Sequence, residues 1–357
     1  MKILFLAPYP CDESPSQRFR FEQYYNLLKE HNHNISYSSF MSTKGWKIIY
    51  TNRSALLKLI YILEGFGKRL WHITRAINYQ VIFLHRELTP LGPPLLEWVL
   101  SKILKKKIIY DFDDAIWLTD KTNEPRIEKM LRWRTKVASI CKWSYKVSCG
   151  NEYLANYARQ FNSNVLVNPT TIDTENLHNP RKTIKENTGK ITIGWTGSHS
   201  TLKYLKEIEP VLQYLETKYP HVQILIIADK KPDLQLQNLE FIKWNKETEA
   251  EDLSKIDIGI MPLPDDEWSK GKCGFKALQY MAMEIPCVIS PVGVNIQIID
   301  HGTNGFLANN DQEWITHLEY LISNQSARVL LGKAGRKKII ENYSVLSNTT
   351  NFLSLFE

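Results

Sequence analysis

The sequence lacks the features that mark several classes of protein. It contains no apolar run of about 18 residues, so it predicts no transmembrane helix. A Gly-x-Gly-x-x-Gly fingerprint is absent, which argues against a tight turn around a dinucleotide pyrophosphate. Zinc-finger and RNA-recognition signatures are also absent, so we expect no binding to nucleic acid.

Cysteine is scarce in this chain. There are 5 cysteines at irregular spacing, and none belongs to a CxxC pair. The sequence therefore argues against a structural zinc site. The odd number of cysteines favours free thiols in a reducing compartment, so we expect a cytoplasmic protein.

Length and charge set the scale of what is present. The chain has 357 residues and a formal net charge of +7, and this length predicts two domains, each with its own core. The apolar run Lys2–Ala7 is short and is followed by Pro8 and Pro10, which favours a first β-strand over a signal peptide. The positive charge alone fits nucleic acid, an anionic membrane or a phosphate-bearing substrate.

Two segments of the first half combine apolar side chains with basic residues. They are Leu56–Ile77 and Leu95–Lys107, the second of which ends in three consecutive lysines. Basic residues beside amphipathic helices suit an anionic membrane surface. The alternative is a pair of core-packed helices whose lysines are simply solvated.

The most informative stretch covers residues 269–293. Gly271 and Gly274 let the backbone bend closely at the start of a helix, and Pro286 ends that helix. The apolar run Cys287–Ile289 is typical of a buried parallel strand. A helix amino end with glycines and nearby lysines suits a phosphate group. The simpler interpretation is an ordinary βαβ unit.

Three aspartates end the predicted strand Lys107–Ala115. Asp111, Asp113 and Asp114 would lie at its carboxyl end, where side chains point into the crevice that binds ligands in open α/β sheets. The Asp-x-Asp spacing of Asp111 and Asp113 leaves a metal site as a second interpretation. One of the three could instead cap the next helix.

A polar segment divides the chain. Residues 179–190 are charged and contain Pro180 and Gly189, so they are our predicted linker. We place a first domain at residues 1–178 and a second at 191–344. Strands alternate with helices on both sides of the linker, which predicts two Rossmann-like α/β domains.

The order of these motifs resembles that of the retaining glycosyltransferases of family 4. Gln279–Ala282 is similar to the end of the family's helix, Ile285–Ser290 to its Gly-x-Pro-Val-Ile-Ala strand, and His301–Leu307 to its Asp-Gly-x-Asn-Gly-Leu-Leu turn. The resemblance covers nearly the whole chain and is strongest in residues 256–307. It implies a GT-B fold: two Rossmann-like domains facing each other across a cleft, with residues 345–357 packed on the first.

The resemblance also implies where the donor diphosphate binds. Gly197 and Lys203 keep the spacing of the family's diphosphate-binding Gly and Lys, whereas Ser198 stands in place of its Arg. Loss of a guanidinium removes a bidentate phosphate contact. We expect Lys276 to supply the missing charge, together with the helix amino end at Gly274 and Phe275.

The other expected donor contacts match the family's pattern less closely. Trp244 is expected to flank the nucleotide base, or else to pack in the core. Of the two glutamates that flank the donor in the family, the first is Gly271 here and the second is Gln279, which can still hydrogen-bond a ribose. The loop residues Asp265, Asp266 and Glu267 are candidates to replace the first glutamate.

The acceptor side is expected around the aspartates. Asp113 takes the place of the family's His and Asp114 that of its Asp, so Asp113 would accept the acceptor's proton or a hydrogen bond. Arg18, Arg20 and Asp111 are expected nearby. We rank a metal lower, because GT-B enzymes generally stabilise the leaving diphosphate with cationic side chains and helix dipoles.

The function implied is transfer of a sugar from a nucleoside-diphosphate sugar to an acceptor hydroxyl, with retention at the anomeric carbon. Asp113, Lys203 and Lys276 would be catalytic, with no cofactor and no metal. The acceptor would be a glycan or a lipid-linked glycan, and the enzyme would be cytoplasmic or peripheral at the inner face of the membrane. The alternatives are a non-catalytic nucleotide-sugar-binding subunit and a GT-B relative such as a nucleotide-sugar epimerase.

Overall fold

The computed structural model describes residues 1–49, 51, 54–121, 124–183 and 189–357. The chain divides into two compact units. The first comprises residues 1–170, 271–273 and 348–357, and the second comprises 171–270 and 274–347. The predicted linker 179–190 includes residues 184–188, which lie outside the described residues.

A parallel β-sheet forms the centre of the first unit. Its described residues form six strands: β1 (Lys2–Ala7), β2 (Asn34–Ser39), β3 (Val81–His85), β4 (Lys107–Phe112), β5 (Lys146–Cys149) and β6 (Val165–Val167). Their order is β2-β1-β3-β4-β5-β6. The run Ile3–Ala7 is buried along its whole length, as expected of a strand covered by helices on both faces.

Helices connect the strands of the first unit. They are α1 (Pro15–Arg18), α2 (Tyr25–Glu30), α3 (Thr43–Ile49), α4 (Ala55–Arg75), α5 (Leu95–Trp98), α6 (Arg126–Arg132), α7 (Lys136–Trp143) and α8 (Glu152–Arg159). Short 3-10 helices cover Glu22–Tyr24 and Ala76–Asn78, and a π-helical turn covers Val99–Ile103.

The second unit repeats this plan. Its strands are β7 (Ile191–Gly197), β8 (Val222–Ala228), β9 (Leu239–Lys243), β10 (Ile258–Met261), β11 (Cys287–Ile289) and β12 (Phe306–Leu307), in the order β12-β11-β10-β7-β8-β9. Its helices are α9 (Glu209–Lys218), α10 (Glu249–Ser254), α11 (Glu267–Lys270), α12 (Phe275–Ala282), α13 (Asn295–Ile298), α14 (Asp311–Ser323) and α15 (Gln325–Asn342). Pro180–Lys182 and His199–Glu207 are 3-10 helices.

Each sheet has a point where the strand order reverses. In the first unit it lies between β1 and β3, and in the second between β7 and β10. Ligands of open α/β sheets bind at the carboxyl ends of the strands beside such a point. The candidate site is therefore sought at these two positions, each within its own unit.

Three elements predicted from the sequence differ in the structure. The strand predicted over Lys107–Ala115 ends at Phe112, so Asp113 and Asp114 belong to the following loop. The sequence predicts a single helix over Arg126–Cys141, but the structure interrupts it at Trp133, whose φ of 48° is left-handed. Helix periodicity alone does not reveal such a break, because both halves keep the apolar spacing of a helix. The sequence also predicts a helix over Thr201–Tyr214, and in the structure this segment begins as the 3-10 helix His199–Glu207.

The last residues of the chain group with the first unit. They form α16 (Thr349–Leu353) and a 3-10 helix at Ser354–Phe356. The ring of Phe352 stacks on Tyr24 with a centroid distance of 4.1 Å, and the Asn351 amide donates to the Val167 carbonyl at 3.1 Å. No helix in the described part of the chain is long and apolar enough to cross a membrane.

Candidate active site

Asp111 lies at the carboxyl end of β4 and is completely buried. Arg20, which follows α1, binds this carboxylate. Its Nη2 donates to Asp111 Oδ1, and its Nε lies 3.4 Å from Oδ2. The imidazole Nδ1 of His85 lies 2.8 Å from Oδ2. The Ser148 hydroxyl donates to Oδ1 at 2.6 Å. The carboxylate at the end of β4 is thus bound by side chains from the neighbouring strands β3 and β5 and from the segment after α1.

The protonation of this cluster follows from its contacts. Burial raises the pKa of Asp111, but the charge of Arg20 and the hydrogen bond from His85 outweigh burial and hold that pKa well below its usual range. Burial likewise lowers the pKa of Arg20, and the facing carboxylate more than reverses this. Asp111 is therefore an ionised group that orders its neighbours, because both of its oxygens already accept hydrogen bonds.

Asp113 and Asp114 share one arginine. Arg86 Nη2 lies 2.8 Å from Asp113 Oδ1 and 2.6 Å from Asp114 Oδ2. Arg86 follows β3 with a left-handed φ of 61°, which a non-glycine residue adopts only at a cost of about 1–3 kcal/mol. This backbone conformation accompanies a side chain that binds both aspartates. Lys272 adds a longer contact to Asp114 Oδ1 at 3.7 Å.

The environment of Asp113 bears on its chemistry. Burial raises the pKa of Asp113, but the charges of Arg86, His85 and Arg20 lower it by more. The net shift of this pKa is therefore downward. A general base works best with a pKa near the operating pH. Asp113 is thus better suited to accept a hydrogen bond from a hydroxyl than to remove its proton.

The segment Gly271–Cys273 groups with the first unit although it is distant in sequence. The Cys273 thiol donates to the Asp113 carbonyl at 3.1 Å. The Asn151 amide donates to the carbonyls of Gly271 and Lys272 at 3.2 and 2.9 Å. Gly150 leaves room for the thiol, because a Cβ on Gly150 would lie 2.3 Å from its sulfur. These contacts fix the loop that carries Asp113.

Arg18 contacts an aromatic ring and an aspartate of the loop after β1. Its guanidinium stacks on the Phe19 ring at 4.9 Å, and its Nε lies 3.6 Å from Asp12. Of the residues predicted on the acceptor side, the structure therefore brings Arg20 to Asp111, and Asp113 to Asp114 through Arg86.

The second unit has a different construction at its switch point. The Thr196 N–H of β7 donates to the Tyr280 hydroxyl at 3.0 Å, and that hydroxyl donates to the Ile260 carbonyl of β10 at 3.2 Å. The side chain of Lys276 crosses Gly197: a Cβ on Gly197 would lie 2.8 Å from Lys276 Cε. Lys276 Nζ lies 5.1 Å from the centroid of the Trp195 ring. Gly197 and Lys276 are thus brought together as neighbours.

Glycines shape the start of α12. Gly274 caps this helix with a left-handed φ of 66°, and a Cβ there would lie 2.2 Å from Ile298 Cδ1. Gly293 has a φ of 58°, and a Cβ there would lie 2.7 Å from the Lys270 carbonyl oxygen. The positive end of the α12 dipole lies beside Phe275 and Lys276, an arrangement that favours an anion.

The other predicted donor residues are more exposed. Lys203 is exposed on the 3-10 helix after β7, with its Nζ 5.3 Å from the centroid of the Tyr204 ring. Ser198 is also exposed, and its hydroxyl lies 2.8 Å from that of Ser200. Trp244 follows β9 and is half-buried. These three positions stay predictions as contacts of a nucleotide.

Gln279 is buried on α12. Its amide Nε2 donates to Glu249 Oε1 at 3.1 Å and lies 3.2 Å from His178 Nε2. Glu249 and His178 are also buried. The amide of Gln279 is therefore bound by a buried carboxylate, a feature that the sequence did not indicate.

Sequence reasoning also missed His85 and Arg86. The signal available was their position: His85 ends the buried strand β3 and Arg86 follows it, and the carboxyl end of β3 neighbours that of β4 in a parallel sheet. Their aspartate partners lie 26 to 28 residues further along the chain. Within the described residues, no group of three His, Cys, Asp or Glu side chains could hold a metal ion.

Two parallel six-stranded sheets with these topologies define the GT-B fold, which confirms the fold class predicted from the sequence. Residues 190–324 match a family model described as glycosyl transferases group 1. Together, the fold and this match support a GT-B glycosyltransferase. No curated protein matches the chain in sequence.

Solved structures of the same fold extend over the whole chain. Sucrose-phosphate synthase from Thermosynechococcus elongatus has a TM-score of 0.71 and 13% identity, covering 99% of this chain and 98% of that one. A glycosyltransferase from Rickettsia africae has a TM-score of 0.68 and 14% identity, with coverages of 99% and 97%. HepE from Anabaena, in complex with UDP and glucose, has a TM-score of 0.66 and 14% identity, with coverages of 100% and 99%.

Proposed function

We propose that this chain transfers a sugar from a nucleoside-diphosphate sugar to an acceptor hydroxyl, with retention at the anomeric carbon. The observation that carries the proposal is the position of Lys276 across Gly197, at the carboxyl end of β7 and the amino end of α12. A cation and a helix amino end at a switch point suit a diphosphate. The segment also lies within the match to the glycosyltransferase model.

On the donor side, Lys276, Lys203 and the amino end of α12 stabilise the departing diphosphate. Positive groups fixed in advance where negative charge develops lower the barrier most in such reactions. Gly197 provides the space that the Lys276 side chain occupies. Because HepE has been solved with UDP-glucose, UDP-glucose is the first donor to test on this chain.

On the acceptor side, Asp113 holds the acceptor hydroxyl by a hydrogen bond. The acceptor oxygen forms a bond to the anomeric carbon on the face from which the diphosphate departs, and the bond from that carbon to the diphosphate breaks. The acceptor's proton passes to the departing phosphate oxygen. The lowered pKa of Asp113 supports a positioning role over a basic one. The acceptor is a glycan or lipid-linked glycan in the synthesis of a surface polysaccharide or glycolipid.

A thermal-shift panel tests the donor site. UDP, GDP, ADP, TDP and CMP are added to wild type and to Lys276→Ala, with and without EDTA. A nucleotide that binds only the folded chain raises Tm according to its affinity and concentration. We expect one diphosphate to raise Tm independently of EDTA and to raise it less in Lys276→Ala. Absence of a shift with every nucleotide would contradict the donor site.

Product analysis tests the transfer itself. The matching nucleotide sugar is incubated with candidate glycan acceptors, and proton NMR reports the anomeric configuration of the product. Retention supports the proposal, and inversion contradicts it. The replacement of the family's Arg and first Glu by Ser198 and Gly271 favours the alternative of a non-catalytic binding subunit. Donor binding without transfer or hydrolysis would indicate that subunit, whereas conversion of the donor sugar without an acceptor would indicate an epimerase.

A further inference from the structure

Helix α4 has an unusual distribution of side chains in the first unit. Its buried side contains Gly65 and the arginine Arg69, which is only 1% exposed. The Arg69 guanidinium donates to the carbonyls of Ala7, Leu88 and Ser38 at 2.6, 2.9 and 3.2 Å. Gly65 lies against Phe40, since a Cβ there would lie 2.7 Å from its ring. A charged group and a glycine therefore face the protein.

The outward side of the same helix is apolar. Six large side chains at helical spacing are between 49% and 67% exposed; we term them the α4 face: Leu56, Leu59, Ile60, Leu63, Leu70 and Trp71. An ordinary surface helix has the opposite arrangement, with its apolar stripe toward the core. Contiguous exposed apolar surface of this kind marks an interaction site.

Basic residues surround the α4 face. Lys58 and Lys68 are half-buried beside it, and the Arg75 guanidinium lies 4.0 Å from the centroid of the Trp71 ring. Residues 55–75 contain four lysines and arginines, of which only Arg69 is buried toward the protein, against one acidic residue, Glu64. The surface thus combines apolar side chains with positive charge.

The same character continues on neighbouring helices. Helix α5 packs against α4 and exposes Leu95 and Trp98. The Gly92 N–H, in the loop before α5, donates to the Leu131 carbonyl of α6 at 2.7 Å. Helix α6 buries none of its residues and combines exposed apolar side chains with two arginines and a lysine.

We propose that the α4 face docks the first unit on the surface of an anionic lipid bilayer. The apolar side chains enter the boundary between head groups and acyl chains, and the lysines and arginines contact lipid phosphates. Trp71 suits this boundary because its ring is amphipathic. A second copy of the chain fits less well, because two basic rims would then be brought together. The proposal does not require the transfer reaction, since binding needs no donor.

Vesicle flotation tests the proposal on the full chain without nucleotide. Vesicles of phosphatidylcholine alone are compared with vesicles that also contain phosphatidylglycerol. We expect binding to the anionic vesicles, and we expect salt to weaken it. The double variant Leu63→Glu/Leu70→Glu should bind at least about tenfold more weakly, because it loses the transfer of two leucine side chains from water into the bilayer. Lys68→Glu should lower binding by roughly fivefold or more.

Leu330→Glu is the matched control, because Leu330 lies on α15 of the second unit and is 70% exposed. It should bind as wild type does, and all variants should keep the wild-type Tm. Equal binding to neutral and anionic vesicles, or unchanged binding by the double variant, would overturn the proposal. Light scattering adds a further outcome: a dimer that the double variant abolishes would assign the α4 face to a second copy and would also overturn it.

Discussion

Both units contain a six-stranded parallel sheet, but the strand ends at their switch points are built in different ways. In the first unit, charged side chains meet: Arg20 binds Asp111, and Arg86 binds Asp113 and Asp114. In the second unit, Gly197 admits the side chain of Lys276, and Gly274 and Gly293 admit close neighbours. The first arrangement fixes carboxylates in place by ion pairs. The second brings a cation close to the backbone, where an anion would bind.

This difference predicts that the two units respond differently to mutation. Ion pairs in a buried cluster contribute to stability only while both partners are present. A lysine poised for an anionic ligand contributes chiefly to binding. We therefore expect large losses of stability in the first unit and large losses of activity in the second.

The largest effect is expected for Arg20→Ala. This change leaves the carboxylate of Asp111 buried without its main partner, which costs about 3–5 kcal/mol of the free energy of unfolding. Urea denaturation followed by tryptophan fluorescence measures it. Arg159→Ala is the control, because Arg159 pairs with Glu152 at 3.1 Å while both side chains are about half exposed. It should cost at most about 1 kcal/mol, and equal losses in the two variants would contradict the prediction.

Lys276→Ala is expected to lower catalytic activity and to leave the free energy of unfolding largely unchanged. Loss of one preorganised group that stabilises developing charge lowers kcat/KM by about a hundredfold or more. Steady-state kinetics measures this loss, with the sugar donor of the nucleotide that raises Tm in the thermal-shift panel. Lys206→Ala is the matched control, since Lys206 pairs with the exposed Asp233 at 3.2 Å on the same unit. A Lys276→Ala enzyme with wild-type kcat/KM would disprove the role of Lys276.

The loss of stability at acidic pH gives a second test of the ion pairs in the first unit. The pKa of Asp111 is lower in the folded chain than in the unfolded chain, so the unfolded chain takes up the proton first as the pH falls. The contribution of ionised Asp111 is therefore complete above about pH 4 and is lost as the pH falls through the lower folded-state pKa. We expect the stability difference between wild type and Asp111→Asn, of about 2 kcal/mol, to shrink below about pH 4. A constant difference over this range would contradict it.

Local sequence patterns were sufficient for much of the fold. The apolar run Cys287–Ile289 forms β11, and Pro286 follows the end of α12 as expected. The apolar run Val222–Ala228 predicts a buried strand, and it forms β8 with the same limits. These elements depend on periodicity and on residues that end helices, which can be read within a short window.

The cluster on Asp111 could not be predicted in the same way. Three aspartates stand close together in sequence, and nothing local distinguishes Asp111, which pairs with Arg20, from Asp113 and Asp114, which pair with Arg86. The difference depends on Arg20, which lies 91 residues earlier in the chain. Similarly, Glu249 meets Gln279 across 30 residues. Contacts between distant residues are set by the sheet order, which a single sequence specifies only indirectly.

The smallest effect is expected for Gly197, the glycine of the second unit that lies against Lys276. In Gly197→Ala the added Cβ would lie 2.6 Å from the Trp195 ring and 2.8 Å from Lys276 Cε. The lysine stem can move aside, whereas Trp195 is buried, so we expect a loss of about 1–2 kcal/mol from overpacking. A displaced Lys276 should also reduce the nucleotide-induced Tm shift.

Gly67→Ala provides the matched comparison for Gly197→Ala. Gly67 lies within α4, and a Cβ there would have no atom within 4 Å. This change should stabilise the chain by about 0.5–1 kcal/mol, because alanine restricts the unfolded chain more than glycine does and favours the helix. Urea denaturation should therefore move the two variants in opposite directions. If both glycines tolerate alanine equally, close approach at Gly197 does not position Lys276, and the contrast between the two units rests on the ion pairs of the first unit alone.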